Sequence, residues 1–471
     1  MQALLPSSAP PCAHPVGMDL DDRLEAMEMH GQQVNAALEE VVTAVLDLKR
    51  AIEAPAAEVR ALQAKVRALE QQLSVERACR DLSQVSRMHP KERSIVFVGT
   101  LYFGDNVKYA WLGLRERAES QGIPCWFLPY HALQQSQVEA LGGRCLPHDH
   151  ALWTAEQLHA VLSAAVVVTS DHLLNPNPFA AALLAGARHI QLWHGVSIKE
   201  IGLRNLPDGR ALGPHLARVL ATCGPFARMV GTTERGEAEW RRWFAFERYA
   251  PIGYPRNDVL YREPDEGDLS NVDREVFERA GAASRAGKRV FIYAPTFRDA
   301  DRGRWLLDAG LPAVAEAVER AGHLLIVNLH PVEQGLIPQL APALPGVSFV
   351  APNTDSYPLL RRTSALITDY SSVMFDYLHL RRPILLYRPD HDAYTGRSRK
   401  LFDDKLGVLP GPLIQTAEAL SQTLLSDGMG QLESHRLARE DLLAQWFDHH
   451  DGSSAVRLWA LVRDELASLP A

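Results

Sequence analysis

Short apolar runs, each closed by a polar turn, recur along the chain and alternate with helical patterns. SIVFVG (Ser94 to Gly99), PCWFL (Pro124 to Leu128), AAVVVTS (Ala164 to Ser170) and RHIQLWHG (Arg188 to Gly195) form one set. KRVFIYAP (Lys288 to Pro295), HLLIVNLHP (His323 to Pro331), GVSFVA (Gly346 to Ala351), SALITD (Ser364 to Asp369) and RPILLY (Arg382 to Tyr387) form a second. Runs of this length, rich in Val, Ile and Leu, read as strands buried on both faces. Strands separated by helices are joined by crossovers, so the chain is α/β with parallel sheets, and ligands belong beyond the carboxyl ends of the strands. A short strand precedes GYPRND (Gly253 to Asp258), and the polar segment from Arg262 to Gly287 reads as a link between two domains, 94–260 and 288–465. Gly99-Thr100 with Gly104 falls short of a GxGxxG dinucleotide loop.

Ahead of these sets, residues 1–17 read as a Pro-rich leader and residues 18–85 as an α-helical coiled coil. Leu20, Leu24, Met27, Val34, Leu38, Val41, Val45, Leu48 and Ile52 alternate at spacings of four and three, with Gly31 at one seam position. Val59, Leu62, Val66, Leu69 and Leu73 resume the register after Pro55, which must kink or split the helix. This pattern predicts either two helices folded back on each other or one bent coil, serving homo-oligomerisation, partner docking, or packing on the chain's own α/β domains.

The chain of 471 residues carries a net charge of −8 made of interspersed acids and bases, which gives no nucleic-acid footprint. Its start lacks a basic n-region and an apolar h-region, and no apolar run reaches the ~18 residues of a membrane span. Cys12, Cys79, Cys125, Cys145 and Cys223 are scattered and show no CxxC spacing. A reducing, cytoplasmic location is therefore expected, with peripheral contact at the inner face of the plasma membrane as its one extension.

Several strand ends carry groups suited to chemistry. His194 and Gly195 end the RHIQLW strand, with Lys199 downstream. An imidazole there can take a proton near neutral pH, and glycine permits close backbone approach. In the second set, Thr296 and Arg298 follow the first strand and His330 the second. Arg298 is expected either to clamp a phosphate bidentately or to form a surface ion pair; His330 either donates to phosphate oxygens or caps a turn. In SALITDYSSVMFDY, a strand runs through Asp369 and Tyr370 to Ser371-Ser372 and then a helical apolar face. A serine pair at a helix start is a phosphate site or merely an N-cap. No compact carboxylate cluster calls for a metal; Asp403-Asp404 is a weak exception.

WHG with its downstream lysine, GYPRND, YAPTFRD, NLHP, TDYSSVMFDY and RPILLYRPDHDAY stand in one order, and together they resemble the CDP-glycerol:polyglycerophosphate glycerophosphotransferase family of teichoic-acid and capsule polymerases. The resemblance covers about residues 94–465 and leaves the coil outside. It implies a GT-B-like architecture, two Rossmann-like domains facing a cleft with the donor on the C-terminal one. It implies transfer of an alditol phosphate, typically glycerol phosphate, from a CDP-activated donor to a hydroxyl of a polymer or lipid-linked acceptor, with CMP released. No tightly bound cofactor is implied, and a divalent metal is left open. His194 and His330 match the family histidines, and Ser371 and Ser372 its phosphate-binding serines. Thr296, Arg298 and Asp369 are assigned to the donor side. Gly195, Lys199, Arg256, Asn257, Asp258 and Asp376 are assigned to the acceptor or a supporting layer. Val196 stands where the family commonly has threonine, which leaves the acceptor-side hydrogen bond open. Two rival readings are a GT-B glycosyltransferase using a nucleotide sugar and a noncatalytic coiled-coil assembly protein.

Overall fold

In a computed structural model of the chain, the described residues are 34, 36–45, 56–171, 177–197, 201–204, 222–298, 303–390, 408–426 and 434–469. Lys199, Asp403, Asp404 and the leader lie outside them. The described residues divide into two compact units, one ending at Arg77 and the other starting at Ala78.

In the first unit, residues 36–45 and the early part of helix α1 (Ala56–Met88) are helical. Val41, Ala44 and Val45 share an apolar groove with Val66, Leu69 and Leu73, all from the heptad-patterned stretches. Val34, Leu38, Val41 and Val45 are each about half exposed, so this apolar stripe is open to solvent.

The second unit holds two parallel sheets. The first runs β3-β2-β1-β4-β5-β6-β7, from β1 (Glu92–Val98), β2 (Cys125–Leu128), β3 (Arg144–Cys145), β4 (Ala164–Thr169), β5 (Arg188–Gln191), β6 (Phe226–Val230) and β7 (Phe246–Ala250). The second runs β10-β9-β8-β11-β12-β13, from β8 (Val290–Ala294), β9 (Leu324–Val327), β10 (Val347–Phe349), β11 (Ala365–Thr368), β12 (Ile384–Tyr387) and β13 (Leu413–Ile414). Every pairing is parallel. The central strands β4, β8 and β11 are buried along their whole length, which is why their sequences lack polar alternation. In each sheet the strand order reverses, between β1 and β4 and between β8 and β11, and such switch points open a crevice at the carboxyl ends.

Three features depart from the sequence reading. The polar link contains a helix, α2 (Arg274–Arg285), capped by Asp273 and burying Val276, Phe277 and Ala280 on a narrow face. The serine pair leads into a helix of only five residues, α3 (Val373–Tyr377), followed by a 3₁₀ turn. The last helix, α4 (Ser454–Ala467), follows the second sheet in sequence but packs on the first, where Glu465 pairs with Arg188 and Arg228. Asp258 fixes the start of α4 by accepting from the backbone N–H of Ser454 and Ala455 at 2.9 and 2.8 Å. No helix among the described residues is long and apolar enough to cross a membrane.

Candidate active site

The carboxyl ends of the two sheets face a common cleft of about 230 Å³. Trp193, His194, Gly195, Val196, Ser197 and Ile201 line it from the first sheet, and Thr296, Phe297, His330, Tyr370, Ser371 and Ser372 from the second. The second group follows β8, β9 and β11, three adjacent strands that flank the switch point. His194, Gly195, Thr296, His330, Ser371 and Ser372 are therefore brought together around one cleft.

The backbone around His194 is tightly specified. Trp193 has φ +57°, a left-handed conformation that costs a bulky residue on the order of 1–3 kcal/mol. Its ring stacks on the His194 imidazole with centroids 4.2 Å apart and planes at 24°. Gly195 follows at φ +137°, and a Cβ there would lie 2.9 Å from Arg256 Nη2 and 3.1 Å from Ser372 Oγ. Only glycine lets the two halves approach this closely.

The two histidines carry opposite tautomers. His194 Nδ1 faces the Ser170 carbonyl oxygen at 3.3 Å, and a carbonyl only accepts, which places the ring proton of its neutral form on Nδ1. His330 Nδ1 instead accepts from the Val332 N–H at 3.3 Å, which places the ring proton of its neutral form on Nε2. In its neutral form, then, one imidazole presents an acceptor at Nε2 and the other a donor.

Of the two expectations for Arg298, the structure shows the ion pair, buried rather than at the surface. Arg298 does not line the cleft: its guanidinium donates to Asp390 at 2.6 and 3.0 Å, to the Thr296 carbonyl and hydroxyl at 2.8 Å each, and pairs with Asp369 at 2.9 Å. In this arrangement the fork is engaged by carboxylates and by Thr296. Burial opposes its charge, but the bond to Asp390 and the charge of Asp369 outweigh burial and raise its pKa. Asp369 is likewise behind the wall, accepting from the Thr296 N–H and hydroxyl at 2.9 and 3.0 Å. Both residues shape the Thr296 loop. Among the described residues lining the cleft there is no lysine or arginine.

Ser372 makes no side-chain capping bond, and Ser371 Oγ meets the Val373 N–H only at 3.5 Å, so neither hydroxyl is committed to a strong cap. The GYPRND residues lie deeper. Arg256 donates to Asp105 and to Asp376 at 2.7 Å each, and Tyr357 also donates to Asp376 at 2.8 Å. Burial alone would depress the Arg256 pKa; the charges of Asp376 and Asp105 hold it well above the ordinary value. Asn257 and Tyr261 bond the two ring nitrogens of His379 at 3.2 and 2.6 Å. Arg256, Asn257, Asp258 and Asp376 thus lie behind the cleft lining, in the supporting layer, tied by these internal bonds.

Sequence reasoning missed the aromatic walls, Trp193, Phe297 and Tyr370, and the polar Ser197. Each flanks a residue that was singled out, and neighbours in a tight turn share a wall. Val196 and Ser197 both line the cleft, Val196 largely buried and Ser197 carrying a hydroxyl. Among the described residues no group of three or more His, Cys, Asp or Glu could hold a metal ion.

Burial lowers the His379 pKa from 6.5 to about 4, against an opposing pull from Asp376. The unfolded chain therefore binds a proton between pH 6.5 and 4 that the folded chain refuses, and stability falls as pH drops through that window. The expected loss is about 3 kcal/mol at most. Melting curves from pH 7 to 4 should show the decline, and His379→Gln should flatten that part of it.

The CDP-glycerol:poly(glycerophosphate) glycerophosphotransferase family model matches residues 147–464. The teichoic acid poly(glycerol phosphate) polymerase of Bacillus spizizenii is 27% identical over 246 residues, 50% of this chain and 60% of that protein. The teichoic acid glycerol-phosphate transferase of Staphylococcus aureus is 26% identical over 266 residues, 52% of this chain and 62% of that protein. The chain thus spans about three-fifths of the length of these relatives. The solved structure of the wall teichoic acid polymerase TagF superposes with a TM-score of 0.65 at 20% identity, covering 87% of this chain and 98% of that one, a likeness of fold.

Proposed function

For this chain, which belongs to the CDP-glycerol:poly(glycerophosphate) glycerophosphotransferase family, we propose transfer of an alditol phosphate, in the first instance glycerol phosphate, from its CDP ester to a hydroxyl of a cell-surface polymer or its primer. The observation that carries this reading is two histidines facing one cleft from opposite sheets, one with Nδ1 against a carbonyl oxygen and the other with Nδ1 accepting a backbone N–H. The acceptor oxygen attacks the β-phosphorus in line while His194 Nε2 takes its proton. The bond from the β-phosphorus to the bridging oxygen breaks, and CMP departs with the electron pair. His330 Nε2–H and the hydroxyls of Thr296, Ser371 and Ser372 donate to the diphosphate as charge gathers on the leaving side. Cleft walls that hold both partners within reach remove much of the entropic barrier. With a lipid-linked acceptor, the reaction would run at the inner face of the plasma membrane.

A donor panel tests the reading. CMP should be released with CDP-glycerol, or with CDP-ribitol if that alditol is the true substrate, and only when a hydroxyl acceptor is present. Release of UDP from a UDP-sugar would instead select a glycosyltransferase.

The heptad-patterned first unit is read as a coiled-coil attachment or self-association device. Removing residues 1–77 should leave CMP release intact and lower the mass seen by sedimentation. A parallel loss of turnover would tie the coil to catalysis.

A further inference from the structure

Asn106 lies far from His194 in sequence, at the start of helix Asp105–Glu119 after β1, and is fully buried. Its Nδ2 donates to the Trp193 carbonyl oxygen at 2.8 Å, the peptide that leads directly into His194. Its Oδ1 accepts from the Arg256 N–H at 3.2 Å. Asp105 beside it has φ +55° and accepts both the Asn106 N–H and the Arg256 guanidinium at 2.7 Å. On the other side of Trp193, Gln191 Oε1 accepts the Trp193 N–H at 2.9 Å. The left-handed Trp193 is therefore held at both of its peptides by buried amides.

We propose that Asn106 is a positioning residue for His194: by fixing the Trp193 carbonyl it holds the strained turn that points the imidazole into the cleft. The proposal rests on the reading of His194 as the base. Without the bond, the Trp193 peptide can relax toward an ordinary φ, and the stacked Trp193–His194 pair turns with it. Asn106 touches no substrate and acts only through that turn. Its tie to Arg256 also couples the histidine loop to the network joining the two sheets.

The test uses the full chain, CDP-glycerol and a hydroxyl acceptor. Asn106→Asp keeps the side chain's size and the acceptor toward Arg256, but sets an oxygen against the Trp193 carbonyl. Its kcat should fall on the order of 10²-fold, the scale of a reacting group displaced by about 1 Å. CDP-glycerol affinity, measured by calorimetry, should stay within twofold. On a His194→Ala background the same substitution should change the residual rate by less than twofold, because its target is gone. Asn106→Ala should behave alike and serves if the buried aspartate prevents folding. An unchanged kcat, a matching loss of donor affinity, or an equal fold-loss on the His194→Ala background would overturn the proposal. Full transfer by His194→Ala alone would instead overturn the base assignment, and this inference with it.

Discussion

Arg256→Ala should destabilise the chain by about 3–5 kcal/mol, because it removes one cation from between two buried carboxylates. Asp376 is fully buried and Asp105 nearly so, and both lose their guanidinium partner at once. The remaining contact on Asp376, from the Tyr357 hydroxyl, cannot balance a full charge. A fall in melting temperature of about 5 °C is expected for a unit of this size. The triple change Arg256→Met, Asp105→Asn and Asp376→Asn should recover much of it, since replacing a whole buried ion cluster is commonly far milder than breaking one. Deleting an exposed pair such as Arg320–Glu316 should leave the melting temperature nearly unmoved. If Arg256→Ala melted with the wild type, the bridge would contribute nothing and the account of the interface would be wrong.

The location of this bridge explains why it matters for chemistry. Asp105 opens the helix after β1, and Asp376 lies in α3 after β11, so the arginine joins the two switch-point strands through their following helices. A second buried tie, Lys108 to Asp355 at 2.9 Å, runs between the same two halves. Gly195 and Ser372 sit against the Arg256 side of this seam. Loss of the bridge should therefore reduce transfer as well as stability.

How much of this was legible in the sequence follows from the range of each interaction. The buried strands announced themselves locally, because β8 (VFIYA) and all of β11 (ALIT) but its final Thr368 are apolar and need no partner to be recognised. The cleft residues were legible one step further, since groups just past the carboxyl ends of parallel strands converge wherever the strands are neighbours. Arg298 was not decided by that inference. Whether its guanidinium met phosphate or carboxylate depended on Asp369 and Asp390, far along the chain, and no local pattern encodes such a meeting. Asn106 was hidden for the same reason: its bonds reach Trp193 and Arg256 across most of the first sheet. Helix α2 is masked in the sequence by its many charged and small residues, although Asp273, three residues before Val276, is a readable N-cap.

The reading of His194 as base and His330 as donor makes the two variants fail differently. His330→Ala removes a hydrogen bond to the bound diphosphate, so it should weaken CDP-glycerol binding as well as slow transfer. His194→Ala removes only the group that accepts the acceptor's proton. Its transfer rate should fall by about 10³-fold, the middle of the range for a lost general base, while CDP-glycerol binds as before.

The most direct measurement is CMP release by His194→Ala at saturating CDP-glycerol, set beside its donor affinity. A rate lost by about three orders of magnitude with affinity retained is the predicted result. Wild-type turnover, or a rate that falls only in step with donor binding, would contradict it.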